Sequence, residues 1–129
     1  MQEISAEELW FFDGKQEALP LYLCLRERLR TEMPDTEFQV KKTQISLRNR
    51  RLYGAVSFLA VRRAKERPNP YLTVTFGLNH REESPRIDAA VEAQPNRWTH
   101  HVMIGNTAEV DDELMNWLRQ AAAFSAGKR

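Results

Sequence analysis

The sequence predicts an α+β fold, with a mainly antiparallel sheet of about five to six strands and N-terminal and C-terminal helices packed on one of its faces. Three observations carry this. Apolar residues recur at helical spacing only near the two ends of the chain. Between those ends the apolar period is two, as in half-buried strands. No helical pattern separates the middle strands, so hairpins rather than crossovers must join them. A chain of 129 residues is long enough for one core, and 1–129 reads as a single domain.

Ser5-Ala-Glu-Glu8 has the form of a capping box and predicts a short helix carrying Leu9, Trp10 and Phe11. A second helical face runs through Ala18, Leu21, Tyr22, Leu25 and Leu29 to about Arg30. Pro20 cannot donate a backbone hydrogen bond, so this helix must kink there or begin near Leu19. Met33-Pro34-Asp35 ends it. Phe38 and Val40, then Ile45 and Leu47, alternate with polar residues as two strands about a turn at Lys42-Thr43. Residues 53–61 (YGAVSFLAV) predict a third strand, and 62–70 (RRAKERPNP) a basic loop that its prolines keep out of a sheet interior. Residues 71–78 (YLTVTFGL) form the clearest strand, Ile87–Ala93 a weaker one, and THHVMI the last. Asn106-Thr-Ala-Glu109 resembles another capping box, ahead of a helix with Val110, Leu114, Trp117, Leu118 and Ala121 on one side.

No apolar run approaches the ~20 residues of a membrane span. The N-terminal MQEISAEELWFF lacks the basic stretch and apolar core of a secretory signal, so the expected compartment is the cytoplasm. The single cysteine, Cys24, excludes an internal disulfide and reads as a packing residue. The net charge of +1 hides an asymmetry: residues 1–40 carry −5, residues 41–67 carry +8 and residues 68–129 carry −2. So basic a middle segment attracts phosphates.

His100 and His101 are adjacent on one strand, so their side chains must point to opposite sheet faces and cannot ligate one metal together. His80, the remaining histidine, has no helpful spacing. No metal and no cofactor is expected. There is no Gly-rich phosphate loop, no H-E-x-x-H and no G-x-S-x-G. What remains is a surface. Strand parity sets Lys41, Gln44, Ser46, Arg48 and Tyr53, with Tyr71, Thr73 and His101, opposite the apolar face, where hydroxyls and rings can hold an anion or a single strand. Lys42, Arg50, Arg51, Arg62, Arg63 and Lys65 lie in or beside the hairpin loops at its margin.

The stretches FFDGKQEALPLYLCLRERL, VKKTQISLRNRRLYGAV, YLTVTFGL and RWTHHVMIGNTAEVDDELMNWLRQAAAF together resemble the bacterial domain of unknown function 5655, from about Phe11 to Phe124. The K-x-Q-I-S strand, and the R-W-T-H-H strand followed by a D-D-E-L helix, make the match specific. More remotely, the last strand and helix resemble the YjbR-like family. That resemblance implies a compact α+β fold with a sheet against helices and leaves open a nucleic-acid-binding role, and the family's pattern is matched at Lys42, Gln44, Ser46, Arg97, His100 and His101. It supplies no catalytic residues.

The leading expectation is a non-catalytic binding module for an anionic ligand, nucleic acid included, using the open sheet face and the basic loops. The alternative is a protein-interaction or homodimerisation module covering the same face. A third reading is an enzyme with His101 as general base near Lys41 or Arg48.

Overall fold

A computed structural model describes residues 4–127. The Ser5 capping box forms: the Ser5 hydroxyl accepts from the Glu8 amide and the Glu8 carboxylate accepts from the Ser5 amide, opening α1 (Ala6–Phe11). After a 3₁₀ turn at Gln16–Ala18, α2 runs over Leu19–Glu32 with Pro20 in its first turn, where a missing amide hydrogen is harmless. The strands are β1 (Glu37–Val40), β2 (Gln44–Arg48), β3 (Leu52–Ser57), β4 (Leu72–Leu78), β5 (Ala89–Gln94) and β6 (Arg97–Ile104). They form one six-stranded antiparallel sheet in the order β1-β2-β3-β4-β6-β5. A last helix, α3 (Asp112–Ala126), closes the chain's described part.

Register fixes which side chains share a face. Phe38 pairs with Leu47, Leu47 with Gly54, Gly54 with Phe76, and Phe76 with His100. Both helices lie on this face. Tyr22 of α2 meets Phe38 edge-on, and Trp117 of α3 stacks on Phe76 with ring centroids 5.4 Å apart. Leu21, Leu25, Leu29, Leu114, Trp117 and Leu118 enter one buried cluster with Leu47, Val74, Phe76 and Val102, and Val40 packs on its border. At the helix–helix seam Arg28 bonds Glu32 and Asp112, and Arg119 bonds Glu32. Cys24 packs at the core's edge, its Sγ 3.9 Å from the Thr107 carbonyl.

The second face departs from the expectation of an open polar surface. β3 stops at Ser57 instead of running to 61, because the Ser57 hydroxyl accepts from the Leu59 amide and turns the chain away. Residues 58–71 then fold back over the sheet. Thr73 donates its hydroxyl to the Leu59 carbonyl (2.7 Å) and Tyr71 donates to that of Phe58 (2.8 Å). Arg62 bonds Asp88, whose other oxygen accepts from the Met103 amide. Gly105 permits this approach, since a Cβ there would lie 2.4 Å from Pro68. Thr73 and Met103 are consequently buried.

Two local expectations also fail. The Asn106–Glu109 capping box does not form: Asn106 makes no side-chain cap, and the Glu109 carboxylate accepts instead from the Gly105 amide. The cap of α3 is Asp111, which accepts from the Leu114 amide and pairs with Arg86. β5 begins at Ala89 rather than Ile87.

Candidate functional site

Part of the second face stays uncovered. Alternation along the strands brings Gln44 (β2), Ser57 (β3), Thr75 (β4) and His101 (β6) to that same side, where Gln44 pairs with Ser57 and Thr75 with His101. These four floor a cleft of about 1050 Å³. Successive hairpin connections leave opposite ends of a meander, so the β1–β2 turn and the β3–β4 loop share one end. The turn, closed by a hydrogen bond from the Lys41 amide to the Gln44 carbonyl, supplies Lys41, Lys42 and Thr43 as one wall. The loop supplies Phe58 and Leu59, and α1 with its following turn supplies Glu7, Trp10, Phe11, Asp13 and Lys15.

The walls are aromatic. Phe11 stacks on Phe58 (5.5 Å, 15°), and the Lys15 ammonium sits 5.0 Å from the centre of the Phe58 ring. Trp10 is 77% exposed beside them. α1 is held in place from beneath. Glu8 accepts hydrogen bonds from Tyr22 and from Arg26 Nε (2.7 Å), and all three are buried. Burial pushes the Glu8 carboxyl pKa up, but hydrogen bonds from Arg26, Tyr22 and Ser5 outweigh it and hold the group below its usual value. The helix therefore stays anchored by a charged clip at neutral pH.

The floor retains hydrogen-bonding capacity. Gln44 donates its amide N–H to Ser46, leaving its carbonyl oxygen without a hydrogen-bond partner among the described residues. His101 Nδ1 shares a 2.8 Å hydrogen bond with Thr75, and burial lowers the imidazole pKa, so the ring is neutral near pH 7 and offers Nε2. No carboxylate hydrogen-bonds His101 among the described residues. That leaves the imidazole without the orienting acid of a catalytic triad. Among these residues no three His, Cys, Asp or Glu side chains gather closely enough to hold a metal ion.

His100 faces the other way, stacked on Phe76 (5.0 Å, 6°) with Nε2 accepting from the Glu82 amide. The two histidines therefore lie on opposite faces.

Of the residues singled out from sequence, Lys41, Lys42, Gln44 and His101 meet in the cleft. Several others do not. Ser46 and Thr73 are buried, and Tyr53 is buried with its hydroxyl 2.7 Å from that of Thr36. Burial pushes the Tyr53 pKa up to about 12 against that hydrogen bond, so its ring is no stacking platform. A bulge in β2–β3 between Leu47 and Arg48 shifts the strand there and breaks the simple parity count. Arg48 lies opposite Glu37, Arg62 is spent on Asp88, and Tyr71 on the Phe58 carbonyl. Arg63 and Lys65 are exposed on the β3–β4 loop. Arg50 and Arg51 are exposed in the β2–β3 turn, at the far end of β3 from that loop. Six residues of strand put those ends about 20 Å apart, so Arg50 and Arg62 share no rim. Arg97 opens β6 at the same end as Arg50, lining a separate, smaller hollow with Trp98 and Phe124.

Sequence reasoning left Trp10, Phe11, Lys15 and Phe58 out of the site. One signal pointed there: Trp10 and Phe11 end a six-residue helix that Phe12 caps, and so short an element has room to bury only one face. Phe12 takes that face, at 1% exposure.

The comparisons with known proteins bear on kinship. No curated protein and no solved structure matches the chain significantly. The family model described as Domain of unknown function (DUF5655) matches residues 10–125, which take in every strand, α2, and all but the last residue of α3. With nearly the whole chain covered, the protein belongs to the DUF5655 family.

Proposed function

We propose that the chain is a non-catalytic binding module for an anionic ligand, received in the cleft between α1 and the β1–β2 turn. The observation that carries this is the position of Lys41 and Lys42 beside a polar floor that keeps hydrogen-bonding capacity at the Gln44 carbonyl and His101 Nε2. A cleft of this size, mostly apolar with a few convergent polar groups, is the usual form of a small-molecule site. The separation of Arg50 and Arg51 from the β3–β4 loop favours a compact anion over a nucleic acid strand tracking both loops.

Lys41→Ala/Lys42→Ala and Arg50→Ala/Arg51→Ala variants, titrated with nucleoside monophosphates and with labelled oligonucleotides at ~50 and ~200 mM salt, test this. The first pair is expected to weaken binding of the small anion at least tenfold and the second to leave it unchanged. Oligonucleotide binding that both pairs weaken alike, with a log–log salt slope falling by about one unit per lost phosphate contact, would replace the small anion with nucleic acid. A second reading has its own observation: Leu9, Trp10 and Leu59 are exposed apolar side chains near the cleft mouth, as in a protein-contact patch. Absence of any anion binding would favour it.

A further inference from the structure

We infer that the anion entering this cleft is carried on a flat heteroaromatic ring, which lies against Trp10 with its hydrogen-bonding edge toward Gln44, Ser57 and His101. The inference rests on the anion-binding reading of the same cleft and adds what must be attached to the charge.

The argument is one of matching surfaces. A simple sugar phosphate or inorganic anion would satisfy Lys41 and Lys42 but leave the indole of Trp10 and the Phe11–Phe58 wall facing water. An acyl chain would cover those rings. It would also strip water from the Gln44 carbonyl, the Ser57 hydroxyl and the free nitrogen of His101 without replacing their hydrogen bonds, and a polar group desolvated and left unpaired opposes binding. A heteroaromatic ring avoids both faults, because its faces are apolar and its edge carries donors and acceptors. Stacking on an exposed aromatic side chain is how single-strand binding proteins hold nucleobases. Charge sets the direction. On the α1 side Glu7 and Asp13 outnumber Lys15, whose ammonium sits over the Phe58 ring, while the turn supplies Lys41 and Lys42 without an acid, so a negative group is drawn to the turn. The neutral imidazole of His101 reads a ring edge as donor or acceptor without adding charge at the floor.

Trp10 reports on the event directly, since it is largely exposed in the cleft whereas Trp117 is buried and Trp98 is half-buried in a separate hollow at the other end of the sheet. Four probes separate the components: adenosine 5′-monophosphate, adenosine, ribose 5-phosphate and nicotinate. The two compounds with both ring and anion are expected to quench tryptophan fluorescence saturably, and to bind at least tenfold more tightly than adenosine or ribose 5-phosphate. Their order tells a phosphate from a carboxylate. Trp10→Phe is expected to abolish the quenching while retaining most of the affinity by calorimetry, and Trp10→Ala to weaken the ring compounds about tenfold. Ribose 5-phosphate binding as tightly as adenosine 5′-monophosphate would overturn the ring and leave the anion site standing. Adenosine binding as tightly as its monophosphate would overturn the anion-binding reading. With no probe bound, both fall.

Discussion

His100 combines a fully buried imidazole, an Nε2 that accepts from the Glu82 amide, and an Nδ1 with no hydrogen-bond partner. Accepting at Nε2 requires the neutral ring. Burial pushes its pKa below the ordinary value and outweighs the backbone at Phe76 and Trp98 and the Glu82 carboxylate, which oppose it, while the nearby His80 adds to the lowering. Protonation would add a hydrogen where the Glu82 amide already points one, so the β4–β5 loop would lose its attachment to the core. The consequence for stability has a definite sign. With the folded pKa below an unfolded value of about 6.5, the unfolded chain takes up the proton first as pH falls. The stability due to His100 is thus complete above about pH 6.5 and is lost as pH falls through the folded pKa. His101, also shifted down by burial, acts in the same direction. Urea unfolding should give a level midpoint from about pH 8 to 6.5 and a declining one toward pH 5, above the range where the carboxylates of Glu8 and Asp111 titrate. His100→Gln should shrink the decline, and an undiminished decline would remove His100 as its source.

Among the elements, α1 is the one whose place rests on charge. Its six residues are too few for a stable isolated helix. The Glu8 carboxylate serves twice, receiving the Ser5 amide within α1 and both Tyr22 and Arg26 from α2. Arg26 also lies over the ring of Phe38 on β1, so the clip ties two helices to the sheet edge. Removing one partner of a buried pair leaves the other charge uncompensated, which costs about 3–5 kcal/mol. Glu8→Ala and Arg26→Ala should each approach that loss in chemical unfolding, and the double variant should cost clearly less than their sum. Additive losses would mean that the two side chains stabilise the fold independently. The same variants should weaken ligand binding in the cleft, because α1 carries one of its walls.

For the molecule as a whole, topology distributes the charge. The +8 segment reads as one patch along the chain, yet the antiparallel meander sends its turns to opposite ends of the sheet. Arg50→Glu, at an exposed turn, should change stability by less than about 0.5 kcal/mol. Arg62→Glu breaks the pair with Asp88 and sets two carboxylates together, so a loss of about 1 kcal/mol or more is expected in urea unfolding. The double variant should equal the sum within about 0.5 kcal/mol, as for distant sites. A marked non-additivity would contradict the separation of the two ends.

The amino-acid sequence by itself determined what depends on local spacing. The capping box at Ser5, the alternation along β4 and the opposed directions of His100 and His101 all follow from backbone periodicity and hydrogen-bonding rules that act within a few residues, whereas Pro20 left α2 either kinked or starting near Leu19, and the fold takes the second. The shared face of Lys41, Gln44 and His101, which line the cleft, was legible for the same reason, since parity alone assigns them a side of the sheet. What only the tertiary structure decided was which part of that face is left open. The fold-back of residues 58–71 buries Thr73, the β2–β3 bulge breaks parity near the buried Tyr53, and Asp88 takes up Arg62 from 26 positions away. The pairing of Phe11 with Phe58 likewise joins segments distant along the chain into the wall of the cleft. Such contacts are set by long-range packing, for which side-chain spacing along a single strand or helix carries no signal.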